Sequence, residues 1–411
     1  MDPNLILPRT TRRAFLHTAA KAASFLAFSR VAPAFVAHAA EIGAPPPEKD
    51  RTILVLLQLA GGNDGLNTVI PFEDSRYYNL RPNLSIPRGR VLPLDDYTGF
   101  HPECELLKSL FEEGDLSIIR SVGYPNPNRS HFRSTEIWET AVSGSSNQYT
   151  GWLGRYFDND CDATPENQPA AIYFGTEGPL TLEGAEPHFV LGVGDRKGAG
   201  PADGDLLRRL ATDGPANPHL GFLRHTLMNA LIGEAEVAEV IRQYRTRQNY
   251  GSTPFGRSMR SIAAMIASGS PTRVYYASLG GFDTHANQEF RHGRLMRELS
   301  ENLAAFQADL RERKLDDQVV TLTFSEFGRR PQENSGMGTD HGTAAPLFVM
   351  GGPVKGGFQG KTPDLEVASN GDLVFETDFR QVYATVLEDW LGCDAGKVLG
   401  GTYAKLPILN S

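Results

Sequence analysis

Residues 321–352, TLTFSEFGRRPQENSGMGTDHGTAAPLFVMGG, set a polar connection between two apolar runs. The runs, 319–324 and 346–350, have the length and composition of buried strands. Between them lie Glu326, Arg329, Asp340 and His341, so ionisable groups crowd the link between two core elements. In open α/β sheets, ligands bind in the loops that leave the strand ends. The stretch raises the question of which other strand ends carry groups able to meet these four.

Residues 51–60, RTILVLLQLA, form an uninterrupted apolar run, as expected of a central strand covered on both faces. It ends in GGNDGLN at 61–67, which presents Asn63 and Asp64 either as a site or as the turn chemistry of Asn and Asp. A second buried strand is predicted at 115–122, followed by the turn-rich GYPNPNRSHF at 123–132 and a helix over 134–140. Ser130 falls near that helix start, where a serine serves as an N-cap or as a polarised hydroxyl. A third strand, 273–279, runs into GGFDTHANQ at 280–288 and then a long amphipathic helix, 287–314. Strand, acidic loop and helix thus recur three times, which predicts an α/β fold with a doubly wound, mostly parallel sheet flanked by helices.

Other segments fit around this frame. Residues 143–200 are rich in Gly, Pro, Asn and Asp, with short apolar runs at 170–174 and 189–192. They read as a loop-rich insertion, with a small β element at most, that could cover the site. Helical spacing predicts one or two helices over 218–248, with His219 and His225 as packing or surface residues, and a last helix over 377–391 capped by Asp378.

The chain has 411 residues, 40% hydrophobic and 22% charged, with a net charge of −9, so it can build a large core. No block of Lys and Arg marks a nucleic-acid surface. At the N-terminus, TRRAFL (11–16) precedes an alanine-rich run to residue 40 that contains AHA at 37–39. This resembles a twin-arginine signal, against the alternatives of a basic cap on a first helix or a retained anchor. Ser29, Arg30 and Pro33 interrupt the run, leaving it too broken for a stable membrane span. The expected plan is a signal at 1–40, a linker at 41–50 and one domain at 51–411. Its location would be periplasmic or extracellular, with the twin-arginine export machinery as a partner. Cys104, Cys161 and Cys393 lack the spacing of a zinc cluster or a disulfide framework, although one pair could bridge in an oxidising compartment.

The strand ends together carry Asp64, Ser130 with His131, Asp283 with His285, Glu326 with Arg329, and Asp340 with His341. Carboxylates and imidazoles gathered at one sheet edge call for a cation among them, so the set predicts a divalent-metal site. Each member also has a plain alternative: Asp283 could cap a helix, Glu326 could pair with Arg329 or Arg330, and Asp340 could bond His341. In a metal-assisted hydrolase, Ser130 would be nucleophile or ligand, and Arg329 would hold a phosphate- or sulfate-like anion.

LVLLQLAGGNDGLNTVIP, NRSHFRSTEIWE, GGFDTHANQ, TFSEFGRR, TDHGTAAPLFVMGG and FRQVYATVLEDWLG occur in that order. In these motifs the chain resembles the exported bacterial domain-of-unknown-function family 1501, whose members look like remote relatives of the alkaline phosphatase and sulfatase superfamily. The resemblance implies an alkaline phosphatase-like fold with a divalent ion (Zn, Mg, Mn or Ca). Ser130 would be the nucleophile, Asp283, His285 and His341 would hold one metal, and Asp64 with Glu326 a second. Substrate contacts would fall to Asn63, His131, Arg329 and Asp340, and the substrate would be a phosphate or sulfate ester of a small molecule or glycan. Phe327 follows Glu326 where the superfamily pattern has histidine. A non-catalytic envelope protein binding a metal, glycan or protein partner is the alternative.

Overall fold

In a computed structural model, residues 51–144, 149–159, 168–194, 233, 236–366 and 371–410 are described. The predicted signal at 1–40, the linker at 41–50, Cys161, His219, His225 and the helical pattern at 220–231 lie outside them. Fourteen strands occur in chain order: β1 (Ile53–Ala60), β2 (Val69–Ile70), β3 (Leu92–Pro93), β4 (Gly99–Phe100), β5 (Leu116–Gly123), β6 (Ala171–Phe174), β7 (Val190–Val193), β8 (Val274–Gly280), β9 (Val319–Phe324), β10 (Arg329–Glu333), β11 (Thr339–His341), β12 (Ala345–Met350), β13 (Gly357–Gln359) and β14 (Thr377–Asp378).

Nine of them form one sheet in the order β13-β5-β12-β9-β1-β8-β6-β7, with β14 also paired to β5. β1 sits inside it and pairs parallel with both β8 and β9. Its residues Ile53 to Leu57 are fully buried, which is what an apolar run without alternation encodes. β12 pairs antiparallel with both β9 and β5 and alone runs against the rest, so the sheet is mixed but mostly parallel, as expected. On one face Leu54, Leu56, Val320 and Leu322 join a core that includes Trp138, Trp152, Phe379 and Tyr383. There Trp138 stacks on Phe379 at 4.3 Å and Trp152 on Tyr383 at 4.4 Å between ring centres. Helices Pro254–Ala267 and Gln288–Glu312 pack against each other beside β8.

The segment read as a loop-rich insertion has a different role. It supplies helix Trp152–Asp158 and then β6 and β7, which extend the main sheet in parallel from β8. These strands have four residues each, and β7, at the sheet edge, is only partly covered, so their short apolar runs carried little signal. Asp378 caps helix Phe379–Thr385 in a full capping box with Gln381, as predicted. Cys393 is disulfide-bonded and Cys104 is free and buried. Among the described residues no helix is long and apolar enough to cross a membrane.

Register decides where the loops emerge. Ala60 lies opposite Gly280 and Gln58 opposite Phe324, so β1, β8 and β9 end at one edge of the sheet. β5 ends at that same edge, because Val122 pairs with Ala345 at the start of the reversed β12. Loops 61–64, 124–130, 281–287 and 325–328, together with β11, are thereby brought together. Gly61 has φ +119, and a Cβ there would collide with the Asp283 backbone nitrogen. Gly61→Ala is expected to cost roughly 1–3 kcal/mol of stability, measured by urea unfolding.

Candidate metal centre

Three histidines and one aspartate converge at this edge. His131 opens helix His131–Thr140, Asp283 and His285 leave β8, and His341 ends β11. His341 Nε2 lies 3.2 Å from Asp283 Oδ1, and His285 Nε2 lies 3.2 Å from the same oxygen. The two imidazole Nε2 atoms are 2.9 Å apart. His131 Nε2 stands 3.6 Å from Asp283 Oδ2.

Their outward nitrogens fix the chemistry inside. His341 Nδ1 is 2.8 Å from the Arg129 carbonyl, and since a carbonyl can only accept, Nδ1 carries the proton. His131 Nδ1 is 2.9 Å from Glu326 Oε1 and donates to that carboxylate. His285 Nδ1 leans toward Asp340 Oδ1 at 3.4 Å. With protons on the outer nitrogens of His131 and His341, their Nε2 atoms turn lone pairs toward the Asp283 carboxylate, which is itself an acceptor. Acceptors facing acceptors are held together by a cation, and an imidazole whose far N–H is bonded to a carboxylate or carbonyl is the usual support of a metal ligand.

The spacing fits such an ion. Metal–ligand distances of about 2.0–2.2 Å put neighbouring ligand atoms about 2.8–3.6 Å apart for octahedral to tetrahedral arrangements. The four contacts above span that interval, and His131, Asp283 and His341 each offer an atom within 4.8 Å of the others. Glu326 adds a second sign: it is 3% exposed, Oε1 accepts from Gly61 N at 2.8 Å as well as from His131, and Oε2 is buried with no hydrogen-bond partner. A carboxylate oxygen left this way is costly unless a positive charge stands nearby.

The charge states agree. Burial alone would raise the Asp283 pKa, but its contacts, the Arg329 hydrogen bond first among them, outweigh burial and bring it down to about 2. Burial lowers His341 below the ordinary histidine value, against the opposing bonds to Arg129 and Asp283. Asp340 is also lowered, first by its bond from Asn334. All three favour the forms that ligate.

Several sequence expectations find other places. Asp64 is fully buried, with Oδ2 2.6 Å from Arg81 Nη1 and Oδ1 2.9 Å from Arg81 Nη2, and Gln288 also donates to Oδ2. Its lone pairs are taken by an internal cation, so Asp64 and Glu326 do not assemble a second metal site. Arg329 is likewise buried: Nε donates to the Gly62 carbonyl at 2.8 Å and Nη1 to that of Thr339 at 2.9 Å, while Nη2 reaches the carbonyls of Gly61 and Phe282 and Asp283 Oδ1. A guanidinium so committed is a clamp on the loops and does not hold a substrate anion. Asn63 is buried and accepts from Thr68 at 3.0 Å, away from solvent. Ser130 precedes His131, is exposed and caps no helix N–H with its side chain. Asp340 is exposed and stands behind His285 as its partner.

Phe327 occupies no ligand position. Its ring packs 4.5 Å from that of His341 and 4.9 Å from that of His131, an apolar wall that holds two imidazoles in place. His131, expected among the substrate contacts, stands instead in the cluster with Asp283 and His341. Its signal was available in the position itself, at the start of a helix that leaves the end of β5.

Residues 118–403 match the family model described as "Protein of unknown function (DUF1501)". No curated protein matches the chain at a significant level. Among solved structures, the chain is similar to the PsFucS1 sulfatase from Pseudoalteromonas sp., with 10% identity, 91% of this chain and 74% of that one covered, and a TM-score of 0.40. It is also similar to the lipoteichoic acid synthase LtaP from Listeria monocytogenes, with 9% identity, 88% and 78% covered, and a TM-score of 0.38. The C-terminal periplasmic domain of EcEptC from Escherichia coli, in complex with Zn, gives 9% identity, 75% and 76% covered, and a TM-score of 0.34.

Proposed function

The chain belongs to the DUF1501 family, and from the site it carries we propose a divalent-metal-dependent hydrolase of phosphate or sulfate esters that works outside the cytoplasm. The observation that carries this reading is that His131, Asp283 and His341 each offer a ligand atom within 4.8 Å of the others, with acceptors behind the two imidazoles. His131, Asp283 and His341 would hold the ion, with His285 standing beside Asp283 and His341. A nitrogen-rich set suits zinc and its neighbours better than calcium or magnesium.

When bound, such an ion polarises an ester oxygen and makes water or a hydroxyl a stronger nucleophile. The chain supplies the rest. Glu326 orients His131 through Nδ1, the Arg129 carbonyl orients His341, and Arg329 fixes Asp283 through Nη2. Ser130, exposed at the N-terminus of a ten-residue helix, offers a hydroxyl where backbone N–H groups favour an anion.

Metal analysis of purified protein, with turnover of a panel of phosphate and sulfate esters, tests the proposal. Stoichiometric metal and turnover that falls at least about 100-fold in Ser130→Ala are expected; metal-free protein without turnover sinks the reading. Metal without any turnover favours the non-catalytic alternative, to which the commitment of Arg329 to backbone carbonyls lends weight. Retention should also depend on pH. Asp283 stays ionised down to about pH 2, and since protons and metal compete for the imidazole nitrogens, dialysis at stepwise lower pH followed by metal analysis should show progressive loss. For export, replacing Arg12 and Arg13 together by lysine is expected to leave the protein in the cytoplasmic fraction, as read by cell fractionation.

A further inference from the structure

Large apolar side chains are seldom left in water singly without consequence when they cluster at a site. The most exposed among the described residues include Phe132, 90% exposed, and Phe290, 80% exposed, with Met337 at 52%. Each belongs to a segment that also supplies a residue of the candidate centre. Phe132 follows His131 directly. Phe290 lies in the first turn of helix Gln288–Glu312, immediately beyond the loop that bears Asp283 and His285. Met337 lies in the turn before β11, and its carbonyl accepts from Gln288 N at 2.9 Å, which ties it to the start of the same helix. Asn334 in that turn donates to the His285 carbonyl at 3.0 Å and to Asp340 at 3.1 Å. The apolar residues therefore belong to segments that supply or adjoin the centre, Phe132 next to His131 in the chain, and Phe290 and Met337 on the helix start and turn that meet beside the His285 loop.

Packing does not require them there. Phe132 and Phe290 have no ring partner among the described residues, in contrast to Phe327, which is buried against the imidazoles. Arg329, the cation expected to hold a substrate, is locked away from solvent. What the surroundings of the centre do offer a ligand is aromatic and apolar contact. Resting on the metal-centre reading, we infer that the site takes esters of amphiphilic form, with the anionic group at the His131–Asp283–His341 cluster and an aromatic or otherwise apolar leaving group against Phe132, Phe290 and Met337. A small, fully hydroxylated alcohol portion would leave these rings in water.

Calorimetric titration of the zinc-loaded full chain with phenylphosphonate and methylphosphonate tests this without turnover, and benzenesulfonate with methanesulfonate separates phosphate-type from sulfate-type recognition. Two aromatic contacts predict that a phenyl ligand binds about fivefold or more tightly than its methyl counterpart. In a Phe132→Ser, Phe290→Ser double variant that difference is expected to shrink to less than about twofold, with zinc uptake unchanged. Equal affinity for phenyl and methyl ligands in a zinc-loaded protein overturns the apolar-ester inference and leaves the metal centre standing. Failure to take up zinc, or failure of every anion to bind, overturns the metal-dependent reading and this inference with it.

Discussion

Arg81→Ala is expected to cost about 3–5 kcal/mol of folding stability, enough to unfold a large share of the molecules at 37 °C. Arg81 and Asp64 both have fully buried side chains and meet in a two-point ion pair. The guanidinium also donates to the carbonyls of Pro331 and Arg330 and to Asn67 Oδ1, so its loss takes a donor from three acceptors and leaves one buried charge unpaired. Replacing both partners with apolar residues, Asp64→Leu with Arg81→Met, is expected to cost less than Arg81→Ala alone, because neither charge is then left unpaired. Urea unfolding of the three variants checks the ordering. Burial pushes the Asp64 pKa up, but the charge and hydrogen bonds of Arg81 overcome it and the pKa ends lowered. A lowered carboxylate contributes stability that is complete above its unfolded value of about 3.9 and is lost as pH falls through the lower folded value. Acid unfolding should therefore steepen below about pH 4 in the native protein and less so in the paired apolar variant.

Asp283→Asn is expected to abolish stoichiometric metal binding and any ester turnover while leaving the fold intact. Asp283 is half-exposed, so its replacement buries no new unpaired group, yet its oxygens are the common neighbours of the three histidines. Glu326→Ala should be milder, weakening metal about 10–100-fold by releasing His131 Nδ1 from its anchor. Competition with a chromophoric chelator separates the two effects. A variant with Asp283→Asn that still binds one metal at native affinity would remove the centre as drawn here.

The contrast between these two carboxylates shows what the sequence could tell. Asp283 and His285 were legible because they follow an apolar run whose parallel neighbours end at the same edge, and His341 because it lies in the polar connection between two apolar runs. Asp64 satisfies the same criterion and still lies elsewhere, since its fate depends on Arg81. That residue terminates the short helix Ser75–Leu80, and no periodicity marks it as the partner of a strand-end aspartate. Arg329 misled for a related reason: a guanidinium beside acidic residues looks free for an anion, and only three-dimensional structure reveals backbone carbonyls around it. The runs at 170–174 and 189–192 suggested no more than a small β element, because four-residue strands are too short for their apolar pattern to show that they extend the main sheet.

The Arg329 clamp also bears on how this surface can vary. Apart from Asp283, its acceptors are main-chain oxygens of Gly61, Gly62, Phe282 and Thr339, drawn from three separate connections. A carbonyl carries no record of the side chain attached to it. Phe282 and Thr339 can therefore exchange for other residues of compatible backbone path without weakening the clamp, whereas even lysine at 329 loses the planar fork that reaches three loops at once. Within the clamp the side-chain requirement is concentrated in one buried arginine, while its partners are held by backbone path, as at Gly61.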